Sequence, residues 1–243
     1  MKILVCIKQV GADGQMNRFD AHALEEALLI KERLTAQNAE PVTVAVVTAG
    51  PETAAAVIRR AFGLGADAGF HIVTKETEYT SSLVTASRLA AVARQTQYDL
   101  ILTGIMSEDM MAAQTGPMLA RILRIPCATG VVKTHLNWAK NFIEVERERE
   151  NGRRDVLEID LPALLTIQAG INTPSYPRLS NMLAAGRKEI INIPAETLSP
   201  ISEREFCIGW KEPEKTRAGR RLEGSLSAQA EQLSALLKEK DLL

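Results

Sequence analysis

The sequence predicts an α/β protein: a mostly parallel sheet flanked by helices, with an antiparallel hairpin and an extended C-terminal arm. Three observations lead there. Short β-rich runs alternate with longer stretches of helical period through the first half of the chain. Residues 98–104 form a largely apolar run, as a strand covered on both faces requires. After Cys127 the pattern changes to alternating apolar and polar residues, interrupted by Asn151-Gly152, a strong two-residue hairpin signal.

Taken in order, residues 2–9 read as the first strand. Asp20 is placed to cap a helix reaching about Gln37, because Leu24, Ala27, Leu28 and Leu34 recur at helical spacing and Glu25 and Glu26 suit its N-terminal dipole end. Residues 42–48 form a second strand. Gly50, Pro51 and Glu52 then open an alanine-rich helix that Gly63 and Gly65 are expected to close. A third strand spans 68–73, a helix 81–95 and a fourth strand 98–104. The next helix starts near Thr115 and Pro117 and stops before Pro126, which disfavours helix at Ile125. Residues 131–135, 142–149 and 156–161 make the antiparallel ribbon, and 163–168 a last core strand. Beyond it Pro174, Pro177, Pro194, Pro200 and Pro213 indicate an extended tail, and residues 225–242 return to helical spacing with Leu226, Leu233, Leu236 and Leu237 on one side. The division expected is an α/β nucleotide-binding domain over 1–190 and, over 191–243, an arm that packs on a partner subunit.

Composition narrows the function classes. With 29 Lys plus Arg against 30 Asp plus Glu, the net charge of −1 gives no electrostatic reason to expect nucleic acid or an anionic membrane. Cys6, Cys127 and Cys207 stand far apart with no C-x-x-C pair, so neither a disulfide framework nor a zinc ribbon is suggested and a cytoplasmic setting is expected. The apolar stretch at the start is too short for a signal peptide, and no 18-residue apolar run occurs.

Candidate chemistry is sparse. His22, His71 and His135 fall on different predicted elements without a carboxylate or cysteine cluster at metal-ligand spacing, so no metal site is expected. There is no G-x-S-x-G elbow, and Cys6, within the first strand, reads as a core residue rather than a nucleophile. Catalytic residues are therefore not assigned. Neither G-x-G-x-x-G nor G-x-x-x-x-G-K-[ST] is present. The segment from Gly104 to Gly116 joins the end of a buried strand to a helix start, where open α/β sheets bind ligands, and its small polar end at Ala113, Gln114, Thr115 and Gly116 suits a phosphate held by backbone N–H groups. An ordinary strand-to-helix loop with Thr115 as N-cap accounts for the same residues, and the sequence leaves both readings open.

These runs, in this order, resemble the β subunits of electron-transfer flavoproteins and the related FixA-type proteins, across residues 1 to about 190. The resemblance is carried by the opening strand with Cys6, Lys8 and Gln9, by Met16-Asn17-Arg18-Phe19-Asp20, similar to an M-N-P-F-D motif before a helix rich in E-E-A-L, and by Gly63-Leu64-Gly65-Ala66-Asp67. Gln114-Thr115-Gly116 followed by Met118-Leu119-Ala120 is similar to Q-T-G-x-M-L-A. Val145-Glu146-Arg147-Glu148, Leu161-Pro162-Ala163 and Leu179-Ser180-Asn181-Met182 complete the series.

What the resemblance implies is an adenine-nucleotide-binding, Rossmann-like sheet in a heterodimer whose α subunit carries most of the FAD site. This chain would hold AMP, or in bifurcating members a second FAD, against Cys6, Lys8, Asn17, Thr48 and Ala49, with phosphates near Gly104, Asp109, Ala113, Gln114, Thr115 and Gly116. Arg147 and Glu148 would face the α-subunit flavin. The loop with Tyr176, Leu179, Asn181 and Met182 would dock an acyl-CoA dehydrogenase or another flavoprotein dehydrogenase, with Leu179 as apolar anchor; a loop packed on its own core is the alternative. The protein would then be an electron carrier rather than an enzyme, the cofactor performing the redox chemistry. Several positions depart from the family pattern: a short loop before Met16, Arg18 in place of proline, Met110 and Met111 where carboxylates are common, Ala113 for Asn, Thr173 and Ser175 for Glu and Arg, and a basic cluster thinned to Arg187 and Lys188. A stand-alone nucleotide sensor, which would need an S-G-G pyrophosphatase loop absent here, and a purely structural partner are the rival classes.

Overall fold

Successive side chains of strand β1 (Lys2–Cys6) are buried on opposite sides of the sheet, and two separate cores follow from that alternation. Ile3 and Val5 join one core with Ala23, Leu24 and Ala27 of helix α1 (Arg18–Ala36) and Val57, Ile58 and Ala61 of α2 (Ala55–Leu64). Leu4 and Cys6 join the other with Ala86, Leu89 and Ala90 of α3 (Ser82–Gln95) and Leu119 and Ala120 of α4 (Thr115–Leu123). Each fully buried Leu or Ile contributes about 1.5–3 kcal/mol relative to exposure. This computed structural model describes residues 1–11, 14–36, 41–75, 79–198, 202–209, 211, 219 and 221–242. Gln37, Pro200 and Pro213 lie outside the described residues.

The remaining strands are β2 (Gln9–Val10), β3 (Gln15–Met16), β4 (Thr43–Gly50), β5 (Ala68–Val73), β6 (Leu100–Gly104), β7 (Cys127–Asn137), β8 (Phe142–Glu148), β9 (Arg154–Asp160), β10 (Ala163–Ile167) and β11 (Ile191–Pro194). Nine of the eleven described strands, β1 among them, form one sheet in the order β11-β5-β4-β1-β6-β10-β7-β8-β9, and β2 and β3 pair separately. Every pairing from β11 to β7 is parallel, whereas β8 and β9 are antiparallel. The predicted α/β class, parallel core and antiparallel ribbon are all present.

Several local expectations are corrected. Asp20 does not cap α1: the helix begins at Arg18, and Asp20 is a buried member of its first turn. The alanine-rich segment starts as a single 3-10 turn at Glu52–Ala54 before α2, and Gly63 lies inside that helix. Gly63 serves a close approach instead, since a Cβ there would overlap the Met182 thioether of helix α5 (Leu179–Ala185). Gly65 does end α2, with φ +124°. Helix α5 and strand β11 arise inside the stretch read as extended tail. β11 adds to β5 at the edge of the sheet and ends in Pro194, a residue suited to an edge because it has no N–H to leave unpaired.

The chain divides into two compact units, Met1–Phe206 and Cys207–Leu243. In the second, helix α6 (Leu226–Glu239) is capped by Ser225, whose hydroxyl accepts from the Ala228 N–H at 3.3 Å. No residue of α6 is buried, and Leu226 is 86% exposed. No described helix is long and apolar enough to cross a membrane.

At the carboxyl ends of β1 and β6, the Lys8 and Gly104 N–H groups donate to the two oxygens of Asp20, at 2.8 and 3.0 Å. Burial pushes the Asp20 carboxyl up to about 7 against the pull of those hydrogen bonds. Its folded pKa stands above the ordinary 3.8, so its stabilising contribution is complete below that value and fades as pH rises through 7. The advantage of the wild type over Asp20→Asn should therefore shrink by about 3 kcal/mol from about pH 5 to pH 8 in urea unfolding. An advantage that stayed constant would mean that Asp20 titrates as a solvated carboxylate.

Candidate functional site

Strand order reverses between β1 and β6: β1 leads through α1 to β4 on one side, whereas β6 lies on the other. In an open parallel sheet, helices leaving such a pair diverge and leave a crevice above the carboxyl ends of the strands. Cys6, Lys8 and Gly104 sit at this point, and Thr48 and Ala49 end the adjacent β4. Asn17, 1% exposed, ties the start of α1 to the loop after β6. Its Nδ2 donates to the Met106 carbonyl at 2.9 Å and its Oδ1 accepts from the Glu108 N–H at 3.1 Å. Arg18 follows with its backbone N–H on the Glu108 carboxylate at 3.2 Å.

The loop from Ile105 to Gln114 rises from β6 to α4. Met111 and Ala113 have φ +51° and +54°, a conformation most side chains avoid. Gln114 follows with φ −104° and ψ −30°, so left- and right-handed residues alternate directly before the helix. A left-handed residue followed by a right-handed one is the backbone pattern of an anion-binding nest, and here it stands at the positive end of the α4 dipole. Gln114, not Thr115, holds the N-cap position, and its side chain makes no capping bond. Gly116 in the first turn has a steric cause: a Cβ there would lie 2.6 Å from Thr166 Cγ2 and 2.8 Å from Thr103 Oγ1. Only glycine lets the helix start come down onto β6 and β10.

Electrostatically the crevice is close to balanced. Lys8 Nζ lies 2.7 and 2.8 Å from the two oxygens of Asp109 and 3.4 Å from Ser107 Oγ. Partial burial would raise the Asp109 carboxyl, but the Lys8 ammonium and the Ser107 hydroxyl outweigh it and hold the group below its usual range. A phosphate here would meet backbone N–H groups and a cation already shared with Asp109. Burial, reinforced by Asp20, pushes the Cys6 thiol well up, so it stays a neutral core thiol. Thr48 is fully buried, and its Oγ1 has no hydrogen-bond partner among the described residues. A buried hydroxyl without a partner costs roughly 1–3 kcal/mol. The loop and the switch-point position suit a nucleotide better than a metal, and no metal-binding cluster occurs among the described residues.

Two groups of expected site residues stand apart from this crevice. Arg147 and Glu148 end β8, four strands along the rim: Cys6 pairs with Thr103 and Thr103 with Thr166, and from the next residue, Ile167, the row continues through Val131 to Arg147. At about 4.8 Å per strand step, Arg147 is roughly 19 Å from Cys6. Its Nε is buried, 3.6 Å from Asp155 Oδ2, too far for a hydrogen bond. Tyr176, Leu179, Asn181 and Met182 gather on and before α5, which lies against α2. Tyr176 and Leu179 are 86% and 77% exposed, whereas Met182 packs over Gly63 and Ala185 is buried in the first core.

The family model described as "Electron transfer flavoprotein domain" matches residues 4–198, which take in the crevice, the ribbon and α5. The chain belongs to the electron transfer flavoprotein β-subunit family. It is 30% identical to the "Electron transfer flavoprotein subunit beta" of Methylophilus methylotrophus, with 98% of each chain covered. The protein of the same name from Bacillus subtilis is 31% identical, covering 96% of this chain and 89% of the relative. The Bos taurus one is 32% identical, with 94% and 86% covered.

Beyond the backbone cradle expected at Ala113 to Gly116, the sequence did not reveal the double role of Asp20 or the positive φ of Met111 and Ala113. Nothing local marks the first, because its partners are backbone groups 12 and 84 residues away. The second carried a weak signal in the small residues before Gln114. Replacing Gly116 by Ala should lower stability by about 1–3 kcal/mol by lifting α4 off Thr103 and Thr166, read as a shift in the denaturation midpoint. A wild-type midpoint would show that the helix start can move without strain.

Proposed function

We propose that this chain is the β subunit of a heterodimeric electron-transfer flavoprotein, an electron carrier rather than a catalyst. In this reading it binds an adenine nucleotide in the switch-point crevice and supports FAD held mainly by an α subunit. It also receives a flavoprotein dehydrogenase, of acyl-CoA dehydrogenase type or similar, at α5. The observation that carries the reading is family membership over residues 4–198 together with the strand-to-helix loop that ends at α4 beside the switch point of the sheet.

The chain's own residues have distinct tasks in it. The N–H groups of Ala113, Gln114 and Thr115 hold phosphate oxygens, Lys8 shares its charge between Asp109 and the phosphate, and Thr48, Ala49 and Cys6 line the nucleoside end. Asn17 and Asp20 keep the loop and the two strand ends in register. Arg147 and Glu148, away from the crevice, face the α subunit, and the flavin when bound supplies the electron chemistry. Leu179, exposed beside Tyr176 and Leu183, is the apolar anchor for the dehydrogenase. The unit from Cys207, whose helix α6 presents unburied leucines, is the arm that packs on the α subunit.

Co-purification with its α subunit, followed by acid release and quantification of FAD and AMP, tests this directly. One FAD and one AMP per heterodimer is the expected result. Two FAD would move the reading to a bifurcating carrier with its own flavin in the β site, and a complex without nucleotide would refute the crevice assignment. Exchanging Gln114 and Thr115 for Glu should remove the nucleotide first and weaken assembly second. Leu179→Ala should slow electron delivery from the dehydrogenase several-fold with FAD content unchanged; equal rates would remove the anchor.

A further inference from the structure

A polar cluster outside the nucleotide crevice holds the start of the docking segment. Asn172 follows β10 in the chain and reaches helix α1, 150 residues earlier. Its Nδ2 donates to the His22 carbonyl at 3.0 Å and to Glu26 Oε2 at 3.2 Å. Both partners are acceptors only, which identifies this atom as the nitrogen. The atom 3.0 Å from His22 Nδ1 is then the carboxamide oxygen, and His22 must carry a proton on Nδ1 to donate to it. Glu26 is only 4% exposed, and its other oxygen accepts from Thr134 Oγ1 at 2.6 Å and from Arg33 at 2.8 Å. The carboxamide is therefore fixed in rotation as well as in place.

The segment after Asn172 is held unevenly. The C-terminal end of α5 rests on α2: Met182 fills the space over Gly63, Lys188 Nζ donates to the Ala66 carbonyl at 2.8 Å, and Arg59 donates to the Ala185 and Lys188 carbonyls. Its N-terminal approach, which carries Tyr176 and Leu179, has the half-buried Pro177 beside Gly63 and, besides Asn172, exposed polar contacts. Ser175 bonds Glu25 through its N–H and hydroxyl at 3.0 and 2.9 Å, and Arg60 lies 5.9 Å from the Tyr176 ring. Exposed contacts of this kind add little, whereas a hydrogen bond to a buried carboxylate is stronger and costly to break. Pro174 and Pro177 restrict the chain between, so a displacement at residue 172 is carried to the exposed side chains rather than absorbed.

We propose that Asn172 is a positioning residue for the docking surface: its carboxamide, keyed between His22 and Glu26 of α1, sets where Tyr176 and Leu179 stand. This rests on the reading of that surface as the dehydrogenase site. Removal of the carboxamide takes the partner from the Glu26 oxygen and from the His22 Nδ1 proton, while the His22 carbonyl keeps its helical bond, and releases the approach to α5.

The test uses the assembled heterodimer with Asn172→Ala, Asn172→Asp, the pair Asn172→Asp with Glu26→Gln, and Leu179→Ser as a docking control. Amide exchange is followed at residues 175–183 and, as reference, 82–95, and KM and kcat are measured with an acyl-CoA dehydrogenase as electron donor. In Asn172→Ala the first set of amides should exchange about tenfold faster while the reference set is unchanged, with KM raised several-fold and kcat and nucleotide content at wild-type values. Asn172→Asp should be worse, since it sets two carboxylates together. The added Glu26→Gln should recover slower exchange by restoring a donor–acceptor pair, a rescue that a general packing defect would not give. Wild-type exchange in Asn172→Ala, or no rescue in the pair, overturns the proposal. So does an unchanged KM in Asn172→Ala when Leu179→Ser raises it. If Leu179→Ser also leaves KM unchanged, the docking reading itself has failed.

Discussion

The Asp20 carboxylate closes the sheet where its strand order reverses. Direct pairing of β1 with β6 ends at Cys6 and Thr103, and just beyond it the Lys8 and Gly104 N–H groups have turned from each other's strand. A single buried carboxylate takes both, one on each oxygen. Burying it raises its pKa to about 7, so the arrangement costs stability near neutrality, yet nothing smaller would join the two strand ends to the start of α1. Gly104 follows from the same constraint, because a Cβ there would run into the Asp20 carboxylate and Phe19. With the strand ends so held, Asn17 can grip the loop after β6 and bring the N–H cradle before α4 over the crevice.

Much of the fold was legible in the sequence for a physical reason. Strands covered on both faces must be apolar at nearly every position, and β1, β4, β6 and β10 are recognisable from that alone. The Asn151-Gly152 turn was equally plain, since both residues take positive φ, of +62° and +69°. β11 was not, being four residues ending in proline that become a strand only because β5 offers an open edge. Helix α5, of seven residues, is too short for its period to stand out and is held in place by α2 rather than by its own propensity. The site divides in the same way: loop residues from Gly104 to Gly116 were visible because they interrupt a pattern, whereas Asp20, Glu26 and Asn172 act through partners far along the chain.

The chemistry of the crevice is that of a fixed polar mould more than of a charged pocket. Lys8 is paired with Asp109 before any ligand arrives, and both are only half-buried, so their attraction is screened by solvent. Among the described residues the Ala113, Gln114 and Thr115 N–H groups have no such competing partner, and they need no side-chain ordering. Recognition by backbone also explains why loop side chains such as Met110 and Met111 can be apolar and exposed without emptying the site of its donors.

Helix α1 serves both functional surfaces. Its entry at Asn17 and Asp20 sets the floor and loop of the crevice, and one to two turns later His22, Glu25 and Glu26 hold the approach to α5. Between them Ala23, Leu24 and Ala27 are fully buried against the sheet, so the helix cannot slide without breaking the first core. The two surfaces therefore keep a constant separation set by the rise of one helix, about 1.5 Å per residue. On the proposed function, a carrier that must present its docking surface in a repeatable orientation to the sheet gains that orientation from the rigidity of this helix.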